Sequence, residues 1–157
     1  MSPTGVRGLM MLTELTAEMM DVADRRDPNA SILGGARYFE NVLKKIPERI
    51  PGDDRMWLAL AAYNIGFGHV EDARIITEMQ GGNPDSWDEV RIRLPLLSNE
   101  DWHTRVERGF ARGTEPVVYV DNVRRYYTLL RWTAGTEILA GTSVGAASAA
   151  TPSTDRG

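Results

Sequence analysis

Apolar residues recur along this chain at helical spacing and almost nowhere in the alternation that marks a strand. Thr13 is a candidate N-cap ahead of Leu15, Met19 and Val22, a short stripe that fades into the charged run "DRRD" at 24–27. Asp27 before Pro28 predicts a second helix start, and Ile32, Ala36, Phe39, Leu43 and Ile46 then recur every three or four residues until Pro47. Gly34 and Gly35 sit inside that helix, where each costs about 1 kcal/mol relative to alanine, so a second helix is expected to cross closely there. "PGDD" at 51–54 reads as a turn and cap before a mostly buried third helix marked by Met56, Trp57, Leu60, Ala61 and Tyr63. It ends near Gly66, a break that Gly68 extends. Val70, Ala73, Ile75 and Ile76 suggest a fourth helix, stopped by "GGNP" at 81–84.

Ser86 with Glu89 makes a capping box for a short fifth helix that must end by Pro95. The pattern is lost over 98–113, read as a long ordered loop anchored by Trp102 and Phe110. Thr114 and Pro116 open a final helix with Val117, Val120, Val123, Tyr127 and Leu130 on one side and Asp121, Arg124 and Arg131 on the other. Its "VVYV" suits a strand in isolation, but the capping context assigns it to the helix. The expected class is all-α. From 133 to 157 the chain is mainly Ala, Gly, Thr and Ser, too poor in bulky residues to offset its ordering entropy, so a disordered tail is expected after a domain covering 1–132.

Composition narrows the function. With 157 residues, 42% of them hydrophobic and 25% charged, the chain suits one domain with one core. A net charge of −4 leaves no broad basic surface, so no nucleic-acid partner is expected, and Arg124 with Arg125 reads as a solvated helix face. The absence of cysteine excludes disulfides, thiolate zinc sites and cysteine nucleophiles. No apolar run approaches the roughly 20 residues of a membrane span, and no basic-then-apolar leader opens the chain, so as written it would stay in the cytosol. His69 and His103 have no partner at ligand spacing, so no metal is expected; "GFG" at 66–68 follows a helix and is too short for a nucleotide fingerprint, and no cofactor is expected either. Nor is there a serine nucleophile elbow.

Three stretches remain: "SPTGVRGLMML" at 2–12, "ALAAYNIGFG" at 59–68 and "EPVVYVDNVRRYY" at 115–127. Singly, "GLMM" reads as plain packing, Tyr63 as a core tyrosine, Asn64 as a helix C-cap and Tyr119 as one aromatic of a buried face. In this order, with "GGARYF" at 34–39 between them, they resemble the lytic transglycosylase domain of the soluble lytic transglycosylase and goose-type lysozyme group (glycoside hydrolase family 23), and its membrane-bound murein branch most closely. The likeness covers about 2–132. It matches Ser2 and the Gly-Leu-Met stretch, with Met11 where glutamine is usual; Ala62, Tyr63 and Asn64 as the Ala-Tyr-Asn motif; and Tyr119 as a cleft tyrosine.

The resemblance implies a lysozyme-like helical fold, peptidoglycan glycan strands as the partner, and a setting in the periplasm at the outer membrane. The implied reaction cleaves the β-1,4 bond between N-acetylmuramic acid and N-acetylglucosamine without water, leaving a 1,6-anhydromuramyl end. One glutamic acid serves as acid and then base, and the nucleophile is the substrate's own C6 hydroxyl. Ser2, Met10, Met11, Tyr63, Asn64 and Tyr119 are the implied substrate-binding residues, with Met10, Met11 and Leu12 as apolar wall and the Tyr63 hydroxyl directed toward the acid. The family's catalytic glutamate, in a Glu-Ser motif on the first helix, precedes the serine by about nine residues and would fall before Met1. Glu14, Glu18, Glu40 and Glu115 do not match its slot, Glu115 being read as a cap of the last helix, so no catalytic residue is assigned. The expectation is therefore a domain lacking its first helix and inactive as given. A noncatalytic peptidoglycan-binding remnant and a helical interaction module are the alternatives.

Overall fold

The structure is a computed structural model and describes residues 5–145. Among the described residues the regular structure is helical, with one isolated antiparallel bridge between Arg7 and Leu12. The all-α class expected from the sequence is what is found.

Helix α1, Glu14–Met19, is capped by Thr13, whose hydroxyl accepts the Thr16 N–H at 3.1 Å. Helix α2, Pro28–Lys45, begins as Asp27 and Pro28 predict, with the Asp27 carboxylate accepting the Ala30 N–H at 2.7 Å. Helices α3, Gly52–Ile65, and α4, Phe67–Met79, meet at Gly66, whose φ of +98° turns the chain in a single residue. Gly68 therefore lies inside α4 and does not lengthen the break. Three short pieces follow: α5, Trp87–Val90, a 3-10 turn, Leu94–Ser98, and α6, Glu100–His103. Helix α7, Thr114–Gly145, runs past Trp132; of the expected disordered tail, 146–157 lies outside the described residues. The chain divides into two compact units within α7, one up to Val120 and one from Asp121.

The first unit has a continuous core. Ala59, Ala61 and Ala62 on α3 are fully buried, and such short side chains let α2 and α4 approach closely on either side. Leu58, Val70, Ile76, Trp87, Leu94 and Val120 fill the space around them. The carboxylate of Asp54 accepts the Trp87 N–H at 2.8 Å and so fastens α5 to α3. With that cap supplied from another helix, the capping box does not form. Ser86 makes no side-chain cap bond, and Glu89 pairs with Arg93. At the "GGNP" bend, buried Arg74 donates to the Pro84 carbonyl at 2.8 Å, to Glu71 at 2.6 Å and to Asp85 at 2.5 Å, while Arg49 grips Asp85 from the other side at 2.9 and 3.0 Å.

Several apolar stripes face differently from the expectation. In α1 it is Ala17 that is buried, while Leu15 and Met19 are exposed, because a helix of one and a half turns touches the body through one small residue. In α2 the inward positions of the first half are Ser31, Gly34 and Gly35, and Ile32 and Ala36 point out. A Cβ on Gly35 would run into Met10, and one on Gly34 into Val22; the close neighbour is loop, not a crossing helix. Met56 and Ile75 also lie outward. The segment 98–113 carries the end of the 3-10 turn and α6; Trp102 packs on the core as expected, but Phe110 is exposed, with its ring edge-on to His103 at 5.7 Å. In the second unit Tyr127 and Leu130 are exposed, so the stripe that enters the first unit's core ends at Val120.

Candidate functional site

Residues 7–12 explain the apolar stretch near the start of the chain. Arg7 and Leu12 exchange two backbone hydrogen bonds of 3.0 Å, and the Met11 N–H donates to the Gly8 carbonyl at 3.1 Å, closing a tight bend. Gly8 has a φ of +76°, and a Cβ there would strike the Arg25 carbonyl, so only glycine fits. Met10 turns inward. Its N–H donates to Ser31 Oγ at 3.1 Å, its carbonyl accepts the Tyr63 hydroxyl at 2.7 Å, and its side chain lies against Gly35. Leu9 and Met11 flank it and stay exposed, at 66% and 56%. Met11 has a φ of +51°, a conformation that a non-glycine residue holds only when its surroundings impose it.

The outer side of this bend, the end of α3 and the start of α7 enclose a cleft of about 570 Å³, lined by Leu9, Met10, Met11, Tyr63, Asn64 and Tyr119, with Glu115 beside them. A side compartment of about 260 Å³ shares Met11, Tyr63 and Asn64 and continues past Tyr38 to Gly66. The Tyr63 and Tyr38 rings lie 5.3 Å apart. Burial, with smaller contributions from Tyr119 and Tyr38, pushes the Tyr63 hydroxyl up to about 12, and burial raises that of Tyr119 as well. Both phenols therefore remain hydrogen-bond donors at neutral pH. Asn64 is exposed one residue before the end of α3, and no described residue takes up its amide or the Tyr119 hydroxyl.

Of the residues singled out from the sequence, Met10, Met11, Tyr63, Asn64 and Tyr119 line this one cleft; Ser2 lies outside the described residues. The Tyr63 hydroxyl donates to the Met10 carbonyl, and Met10 contributes its backbone to the bend as well as lining the cleft. Glu115 was missed. It lies in the first turn of α7, exposed, 3.5 Å from the Arg112 guanidinium, and it faces the cleft because it precedes Tyr119 by four residues on one helix face. Ser31 was missed too, although a serine in register with Gly35 on an inward stripe is a readable sign of close backbone approach. Another hollow, about 550 Å³ beside α1, is lined mainly by charged groups including Glu14, Glu18, Asp24 and Arg25 and lacks such an apolar wall.

Comparison with known proteins decides the family, since residues 1–84, more than half of the chain, match the transglycosylase SLT domain. The chain belongs to the transglycosylase SLT family. Over 131 residues, 83% of this chain, it is 60% identical to membrane-bound lytic murein transglycosylase F of Idiomarina loihiensis and 57% identical to that of Cellvibrio japonicus. A Yersinia pestis protein of the same name is 56% identical over 129 residues. The aligned part is 29% of the Idiomarina protein and 26% of the other two, so the chain spans less than a third of the relatives' length. The matched span of this SLT chain contains α1 to α4, and with them the bend at 7–12 and the Tyr63–Asn64 pair; Glu115 and Tyr119 fall beyond the family match but within the region shared with the relatives.

Proposed function

We propose that the cleft binds an N-acetylated glycan strand of peptidoglycan, as part of a lytic transglycosylase domain with 1–132 as its working extent. The observation that carries this reading is one cleft with exposed Leu9 and Met11 on one wall and the uncommitted Asn64 amide and Tyr119 hydroxyl on another. A pyranose presents apolar faces and a rim of hydroxyl and acetamido groups, and a site for it needs both kinds of surface a few ångströms apart. The relatives named as lytic murein transglycosylases support the same substrate. The reaction that goes with such a domain is scission between N-acetylmuramic acid and N-acetylglucosamine, which requires a carboxyl to protonate the leaving oxygen and then take the proton of the C6 hydroxyl as that oxygen attacks C1.

Such a carboxyl needs apolar enclosure to hold its proton for the leaving group. Glu115, the described carboxyl that lines the cleft, is instead exposed and beside a guanidinium. The reading is therefore that the chain binds glycan without cutting it. The relatives' names point to the cell envelope as the setting, and among the described residues no helix is long and apolar enough to cross a membrane.

Two assays test this reading. The chain should be retained on purified murein sacculi, and an Asn64→Ala/Tyr119→Ala double variant should be released; retention no greater than the variant's rejects glycan binding. Mass spectrometry of the digest should find no 1,6-anhydromuropeptides, and their appearance would reject the catalytically silent reading.

A further inference from the structure

We infer that Ser31 is a positioning residue for the cleft: through the Met10 amide it fixes the bend at 7–12 in the shape that presents Leu9 and Met11 to a ligand. Ser31 is fully buried in the first half of α2, where serine is a mediocre helix former and its hydroxyl needs a partner. It accepts the Met10 N–H at 3.1 Å. Gly35, one helical turn further along the same face, receives the Met10 side chain. Tyr63 then takes the Met10 carbonyl from the opposite side at 2.7 Å.

Both backbone polar groups of Met10 are thus bound by side chains from two different helices, and neither belongs to a helix or sheet ladder. The ends of the bend are closed by the Arg7–Leu12 pair. With its middle and both ends fixed, the bend leaves Leu9 and Met11 outward and holds Met11 in the left-handed region. A mere packing role would be met equally well by alanine, which is smaller and a better helix former. A seat for the Met10 amide would not, because alanine leaves that N–H without an acceptor and frees the bend to relax. The ligand must then reorder the wall on binding, and affinity falls.

This inference rests on the glycan reading, and its test separates the two. The 1–157 chain is titrated with chitotetraose as wild type, Ser31→Ala, Tyr63→Phe and the double variant, and amide hydrogen exchange is followed at Met10 and Met11. Ser31→Ala is expected to bind about tenfold more weakly, the loss typical when one buried amide loses its acceptor. Exchange at Met10 and Met11 should quicken, while α3 and α4 remain protected. Because both side chains hold one peptide segment, the double variant should lose less than the product of the single losses. Ser31→Cys, similar in size and a poor acceptor, repeats the measurement if the alanine variant is unfolded. Unchanged affinity and exchange in the variants would overturn the inference, and so would losses that multiply independently. Failure of the wild type to bind chitotetraose would sink the glycan reading, while the exchange rates still decide whether Ser31 seats the bend.

Discussion

Replacing Tyr63 with phenylalanine removes one oxygen atom and keeps the ring against Tyr38 at 5.3 Å. What is lost is the 2.7 Å bond to the Met10 carbonyl, which joins the end of α3 to the bend at 7–12. A typical intramolecular hydrogen bond contributes about 0.5–1.5 kcal/mol net, and Tyr63 is only half-buried, so water can reach part of the gap and a cost near 1 kcal/mol is expected. For a chain of this size that lowers the thermal midpoint by about 2–4 °C. The same substitution has a pH signature. The folded Tyr63 hydroxyl is pushed up to about 12, mainly by burial, above its ordinary value of 10.0. Its contribution to stability is therefore complete below pH 10 and is lost as pH rises from about 10 to about 12, while the unfolded chain ionises first. Wild type should lose stability through this window, and the phenylalanine variant should lose less of it, with the remainder assigned to other phenols such as Tyr119. Urea unfolding at several pH values measures both effects. Equal midpoints at pH 7, or an identical alkaline decline in the two proteins, would refute the tether between Tyr63 and the bend.

Other perturbations follow from the same contacts. Asp27→Ala removes a formed N-cap and should cost about 1 kcal/mol in urea unfolding, whereas Ser86→Ala, where no side-chain cap exists, should be within about 0.5 kcal/mol of wild type. Gly8→Ala forces a Cβ into the Arg25 carbonyl at a positive φ and should destabilise by at least about 1 kcal/mol, with amide shifts concentrated at 7–12 and 25 in a proton–nitrogen spectrum. Arg74→Met leaves Glu71 and the Pro84 carbonyl without their guanidinium partner, while Asp85 keeps Arg49, and should cost about 1–3 kcal/mol by the same unfolding assay; a loss under about 0.5 kcal/mol would show that Arg49 alone holds the "GGNP" bend.

The Asp27–Pro28 start, the Thr13 cap and the "GGNP" stop were legible because each is a local backbone device, decided within four residues. Facing was less legible. The large residues Ile32 and Leu33 dominate any periodic reading of α2, yet the inward positions go to Ser31, Gly34 and Gly35, since the loop at Met10, 21 residues before Ser31, presses onto that helix and admits only small side chains. The capping box at Ser86 failed for a related reason, as the Trp87 amide is capped by Asp54 from 33 residues away. Tyr63, Asn64 and Tyr119 could be placed together from motif order, but not the direction of the Tyr63 hydroxyl, which depends on where the Met10 carbonyl lies. Glu115 does sit in the first turn of α7, as a cap would, but that it also lines the cleft follows only from its spacing of one helical turn from Tyr119.

On the proposed reading, a saccharide lies between the bend at 7–12 and the phenol of Tyr119. A chitotetraose titration followed by methyl and amide NMR tests it directly. Saturable shifts are expected at Leu9, Met11, Asn64 and Tyr119, with little change around Lys45, His69 and Arg108, which line a separate hollow on the first unit. Shifts gathered at that second hollow, or none at the methionine bend under saturating sugar, would contradict it.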